Sequence, residues 1–283
     1  MPGSKLLARI LDISEKAKMP SVAVAIHDFQ TELGFSYQAD KWFHAASTFK
    51  AGILFALLKA ADQKRVRLDD HLQIRNRFFS ITDGSVYRID RERDGDSVVH
   101  RHIGKSMSLL NLAQAMIVRS SNLATNLLLD FLSLDYVRHC LKQANVEGLE
   151  IRRGVEDMAA HESGINNETT ANGLLRLFRT FLDDAALTVE SRKHALQILL
   201  AQEFNGMIPA QLPDAVLVAH KTGEISTHCH DAGIVFVENR QPYVVAIMSE
   251  TSPETTHRAK AIAKISAAIF DYVLGTRGDG EKA

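Results

Sequence analysis

The 283-residue chain holds only two cysteines, Cys140 and Cys229. They stand far apart and match no zinc-type spacing, so a disulfide framework and a cysteine-ligated metal centre are both excluded. Two free thiols are expected, with a single disulfide as the alternative. An excess of one charge sign is missing too: 33 basic against 34 acidic residues leave a formal charge of -1. No long block of one sign occurs either, so the chain carries no footprint for nucleic acid or an anionic membrane. Long apolar runs are also absent. The longest, such as AGILFALL from Ala51 to Leu58, fall far short of the roughly 20 residues needed to cross a bilayer. The first residues, MPGSKLLARILDISEKAK, lack a charged segment followed by a long apolar one, and read as a short amphipathic helix with no signal peptide. On that reading the protein is cytoplasmic; a periplasmic or secreted protein already trimmed of its leader would read the same way. No internal repeat or low-complexity tract is evident.

What is present fits a globular protein. With 46% hydrophobic and 24% charged residues, the chain can bury a real core in one or two domains. After the N-terminal helix, SVAVAIHD (Ser21 to Asp28) and LGFSYQAD (Leu33 to Asp40) read as two strands joined by a polar turn at Gln30 and Thr31. From Ser47 to about Lys193 the periodicity is helical, in TFKAGILFALLKAAD, SLLNLAQAMIV with Ser108 as N-cap, LATNLLLDFL, DYVRHCLKQAN and TANGLLRLFRTFLDD. Within this region residues 75–105 are polar, charged and weakly periodic, and read as a long surface excursion. After the helix VESRKHALQILLAQE and the link IPAQLP, three strands follow, AVLVAHKTG, DAGIVFVE and PYVVAIMSE. THRAKAIAKISAAIFDYVLG closes the chain as a helix. Two strands at the start and three at the end predict one antiparallel sheet of about five strands built from both termini, flanked by helices, with a helical cluster inserted. The fold class is α+β, with residues 1–46 and 200–283 forming a sheet subdomain and 47–199 a helical one.

Chemistry-bearing residues fall in three places. In FHAASTFKAGILFALLKAAD, Ser47 and Lys50 stand three residues apart at the start of an apolar helix. Alone, such a serine is more often a cap than a nucleophile. Two further motifs follow in order: SSN at Ser120 to Asn122, between two helical runs, and HKTG at His220 to Gly223, ending a predicted strand. Together they form the Ser-x-x-Lys, Ser-x-Asn and Lys-Thr-Gly set.

With these motifs the chain resembles the penicillin-recognising serine hydrolases, and among them the class A β-lactamases most. The resemblance spans nearly the whole sequence: ASTFK at the nucleophile, SSNLATNLLLD at the loop and its following helix, LP eight residues before KTG, and HDAGIV after it. It implies a β-lactamase/transpeptidase-like fold, a small-molecule substrate, no cofactor and no metal. It says nothing of oligomeric state. The implied reaction is acyl transfer through Ser47. A serine hydroxyl needs a base within reach, and positions i and i+3 of a helix share a face, which sets Lys50 beside Ser47. Burial and the cation Lys221 would both lower the lysine pKa and leave the amine free to accept a proton. The resemblance further assigns Ser120 to proton relay and Asn122 to the acyl-side amide of the substrate. It assigns Lys221, Thr222 and Gly223 to the strand that receives a substrate anion, and the backbone N–H groups of Ser47 and Glu224 to an oxyanion hole.

The pattern also departs from the family. A loop carboxylate is implied for deacylation, and Glu156, 36 residues beyond Ser120, is at the implied spacing, with Asp157 and Glu162 as rivals. Ala160 stands where an asparagine is implied. Ser121 replaces the middle aspartate of the Ser-Asp-Asn motif. Glu224 follows Lys-Thr-Gly directly, and its carboxylate is expected to face the cleft and repel an anionic substrate. His44, His220, His228 and His230 crowd the motifs, but on a strand they alternate faces and show no metal-ligand spacing; Cys229 points away from His228 and His230. Three functions compete: a β-lactam hydrolase, a carboxylesterase or D-alanyl peptidase-like hydrolase, and a penicillin-binding sensor that stays acylated.

Overall fold

The five predicted strands form and pair in one antiparallel sheet. In the computed structural model, which describes residues 2–275, they are β1 (Ser21–Asp28), β2 (Leu33–Tyr37), β3 (Leu217–Ile225), β4 (His228–Phe236) and β5 (Tyr243–Glu250), in the spatial order β3-β4-β5-β1-β2. The register joins the two ends of the chain: Ser21 pairs with Glu250 and Asp28 with Tyr243. Lys221 pairs with Ala232 across β3 and β4. Both faces of the sheet are covered, which is why its central strands read as nearly unbroken apolar runs. Ala23 and Ala25 of β1 and Ala246 and Met248 of β5 face the inserted helices, whereas Val22, Val24 and Ile26 of β1 and Val245 and Ile247 of β5 face the terminal helices. That is the period-two alternation of a strand.

The terminal helices are α1 (Pro2–Lys16) and α10 (Arg258–Gly275). Between them the inserted segment holds α2 (Lys50–Asp62), α3 (Ser97–Arg101), α4 (Leu109–Val118), α5 (Asn122–Leu132), α6 (Leu134–Gln143), α7 (Met158–Glu162), α8 (Ala171–Thr180) and α9 (Val189–Leu200). Helix α2 is the axis of this layer. Every residue from Lys50 to Leu58 is buried, as expected of a helix apolar on all sides. Serine and threonine caps fix the neighbours: Ser108 on α4, Ser121 on α5, Thr170 on α8 and Thr188 on α9 each accept a backbone N–H.

Three sequence expectations need correction. Strand β2 ends at Tyr37, short of Asp40. The helix after Ser47 begins only at Lys50, and Ser47 lies in a tighter turn leading into it. Residues 75–105 are anchored, not a free excursion: Phe78, Ile89 and Val99 enter the main core, and Phe78–Phe79 pairs with Val86–Tyr87 as a small hairpin. Their apolar anchors are too far apart in sequence to leave a period.

Candidate active site

The nucleophile turn is built from strained, tightly bonded backbone. Ala46 has φ +46°, a conformation that a residue with a Cβ adopts only when its surroundings hold it. Its N–H donates to His44 Nδ1 at 3.0 Å. The N–H groups of Lys50, Ala51 and Gly52 then donate to Ser47, Thr48 and Phe49, three residues back, a narrow turn that widens into α2. It leaves Ser47 half-buried on the wall of a cleft of about 600 Å³ that Asn122, Glu156 and Glu224 also border.

Lys50 is fully buried behind Ser47. Its amine reaches the Ser120 carbonyl at 2.6 Å, the Ser120 hydroxyl at 3.2 Å and Asn122 Oδ1 at 2.8 Å; Ser47 Oγ is not among these partners. Burial, and next the charge of Lys221, push its pKa well below the ordinary lysine value, while Asp94 and Glu156 pull the other way. A neutral amine has two N–H donors and one lone pair. In that form the carbonyl and amide oxygens, which only accept, would take the two donors and leave the lone pair to the Ser120 hydroxyl.

Ser120 also has a positive φ, +58°. Ser121 follows as N-cap of α5, its hydroxyl accepting the Ala124 N–H, so the turn delivers Ser120 and Asn122 to the cleft on either side of a capping residue. Asn122 bridges two ionisable groups, accepting from Lys50 through Oδ1 and donating from Nδ2 to Glu156 Oε1 at 3.3 Å. Glu156 Oε2 takes the Asp90 N–H, and its backbone is again left-handed, φ +61°. The rival carboxylates are placed elsewhere. Asp157 caps α7 and accepts the Ile81 N–H, and Glu162 is exposed at the end of that helix. Ala160 is fully buried. The loop carrying Glu156 closes on itself through Asn167, whose Oδ1 accepts the N–H groups of Arg152 and Arg153 and whose carbonyl accepts from Ala45 beside the nucleophile.

On the facing side, β3 is one of the two edge strands of the sheet. Lys221 is fully buried, donates to the Thr222 carbonyl, and has its pKa lowered to about 7 by burial. Gly223 is where strand and nucleophile touch: a Cβ there would lie 2.9 Å from Thr48 Cγ2 and 3.0 Å from Ser47 N. The structure gives Glu224 a cationic partner that the sequence did not show. Glu224 borders the cleft, and the register pairs it with Cys229, which lies in the α10 core. Its carboxylate pairs with Arg258 at the start of α10, 2.5 Å away. The repulsion expected against an anionic substrate is thereby offset.

His44, His228 and His230 gather, the His228 ring lying 6.0 Å from that of His44 and 5.4 Å from that of His230, while His220 stands apart. His220 sits between Asp231 and Asn205; His230 bonds the His44 carbonyl and the Ser249 N–H. Burial, then Arg153, lowers His44 to a pKa of about 4. Among the described residues no group of three or more His, Cys, Asp or Glu is arranged to hold a metal ion. Cys140 and Cys229 are buried free thiols.

A model of the β-lactamase enzyme family (Beta-lactamase2) matches residues 5–273. The chain belongs to this family. It is 27% identical over 262 residues to the β-lactamase ROB-1 of Haemophilus influenzae, covering 90% of this chain and 81% of that one. To a β-lactamase of Bacteroides uniformis it is 23% identical over 277 residues, 92% and 89% of the two chains. Two solved structures share the family's fold with it. A β-lactamase from Sphaerobacter thermophilus superposes with a TM-score of 0.80 at 22% identity over 95% and 96% of the two chains. A mutant of PBP-A, solved as its acyl-enzyme complex with penicillin G, gives 0.79 at 24% over 95% and 97%. The fold is thus the β-lactamase/transpeptidase-like one, its antiparallel sheet flanked by helices.

Sequence reading missed two members of the site. Arg258 lies in an unremarkable helix start, and only the pairing with Glu224 singles it out. Asp94 lies in the segment read as surface, where the turn dipeptide Asp94-Gly95 was the available signal.

Proposed function

We propose that this protein opens β-lactam amides through an acyl-enzyme on Ser47. The observation that carries the reading is Lys50: a buried amine, depressed in pKa, directly behind Ser47 and bonded to both Ser120 and Asn122. In the first step Ser47 Oγ bonds to the lactam carbonyl carbon, its proton passes toward Lys50, and the C–N bond breaks as Ser120 delivers a proton to the departing nitrogen. Ser120 is then reprotonated from Lys50 across their 3.2 Å contact. Donors at Ser47 N and Glu224 N would stabilise the oxyanion, each worth about 3 kcal/mol of barrier. Lys221 and Thr222 receive the substrate anion, with Gly223 keeping that strand against the nucleophile. In the second step Glu156 takes a proton from water as the water oxygen bonds to the ester carbonyl carbon; the C–O bond to Ser47 then breaks, and that proton is returned to Ser47 Oγ, freeing the serine and the opened acid. Curated relatives named as β-lactamases across some nine-tenths of the chain support this substrate class.

The test is turnover of a chromogenic cephalosporin. Wild type should hydrolyse it, and Ser47→Ala should lose at least about a thousandfold in rate. Lys50→Ala should lose nearly as much and regain part of it at high pH, where hydroxide substitutes for the amine. A Ser47→Ala protein that keeps most of the rate would refute the assignment.

A further inference from the structure

We propose that Asp94 is the positioning residue of the Ser120–Asn122 turn, its carboxylate entering from the 75–105 segment to hold a loop that has serine, not aspartate, at position 121. The Asp94 side chain is wholly buried. Oδ1 accepts the N–H groups of Asn122 at 2.9 Å and Asp96 at 3.1 Å. Oδ2 accepts the Leu123 N–H at 2.9 Å, the Ser121 hydroxyl at 3.3 Å and His100 Nε2 at 3.0 Å. Because a carboxylate only accepts, His100 must carry its proton on Nε2. Five donors on one buried carboxylate, two of them at the N-terminus of α5, are a strong tether.

The tether acts on the residues that hold Lys50. Ser120 sits in a left-handed conformation that its own side chain does not favour, and the two peptide groups fixed by Asp94 follow it closely. The neighbouring residues lock the same junction. Asp96, also buried, pairs with Arg119 at 2.9 Å. Gly95 allows the Arg119 carbonyl to approach where a Cβ would lie 2.3 Å from its oxygen. Asp94 touches no reacting atom; its effect passes through the placement of Ser120 and Asn122.

The decisive experiment is a cycle of Asp94→Asn, Ser121→Asp and the double variant, followed by the rate at which a fluorophosphonate labels Ser47. In that probe reaction Ser47 Oγ bonds to phosphorus, fluoride leaves and the proton passes to the amine, so no β-lactam is needed. Asp94→Asn keeps the shape but turns an amide toward the Leu123 N–H, and labelling should slow by about tenfold to a hundredfold with little change in the concentration dependence. Ser121→Asp alone sets a second carboxylate beside the first and should also slow it. Together the two changes should restore most of the rate, because one carboxylate again serves the turn. The acid limb of the Asp94→Asn rate profile should move to lower pH, since Lys50 loses an anion that favours its charged form while Lys221 and Glu156 remain. Additive losses in the cycle would overturn the inference, as would an Asp94→Asn protein with wild-type rate and pH profile. If Asp94→Asn does not fold, the double variant and Ser121→Asp decide alone, a sluggish double variant counting against it. The inference rests on the proposed function only in naming Ser47 as nucleophile: labelling without β-lactam turnover would sink the substrate class and leave the role of Asp94 standing.

Discussion

A lysine ammonium loses on burial more hydration than a few hydrogen bonds return, and among the described residues Lys50 and Lys221 are buried in full. Such residues work against stability in favour of reactivity. Lys221 falls from an ordinary 10.5 to about 7, so between these values the unfolded chain binds a proton that the folded one does not, and stability rises with pH across that window. Lys221→Met should therefore raise Tm at pH 7, by an amount that shrinks toward pH 10, while turnover of carboxylate-bearing β-lactams falls. Calorimetry at the two pH values is the check, and a Tm lowered equally at both would contradict it. Glu156 separates the two chemical steps. Glu156→Gln should leave acylation measurable and slow deacylation by about a hundredfold, so that adduct accumulates in a rapid-quench time course; an unchanged adduct lifetime would remove Glu156 from the second step. Ser47, Lys50 and Lys221 were legible in the sequence because their residue types carry chemistry at fixed spacing. Asp94 and Arg258 were not, because their importance lies in partners far along the chain.

At the level of elements, the site depends on how closely β3 approaches the turn before α2. The contact at Gly223 leaves no room for a methyl group against Ser47 N and Thr48. Gly223→Ala should move strand and turn apart, lowering stability by about 1–3 kcal/mol and the acylation rate by tenfold or more. Urea unfolding and the rate of Ser47 labelling measure the two effects; a variant equal to wild type in both would show that the junction is slack. Strands and long helices were read correctly because burial imposes period two or 3.6 on them. The turn at Ala46 to Phe49 and the hairpin at Phe78 to Tyr87 were not, since tertiary contacts hold them and local pattern does not.

Across the whole molecule, chemistry gathers where two layers meet. The sheet drawn from both termini supplies Lys221 to Glu224 from its edge, and the inserted segment, through its helices and the turns and loop between them, supplies Ser47, Lys50, Ser120, Asn122 and Glu156. The joint architecture was visible in the order of the predicted elements; the distances that make it a site are a property of the packed structure. The central claim is that Ser47 carries a transient acyl group, and the most direct measurement is intact-protein mass spectrometry through a time course with benzylpenicillin. Wild type should gain and then lose the mass of one penicillin, and Ser47→Ala should gain none. An adduct on Ser47→Ala, or hydrolysis by that variant at the wild-type rate, would contradict the account.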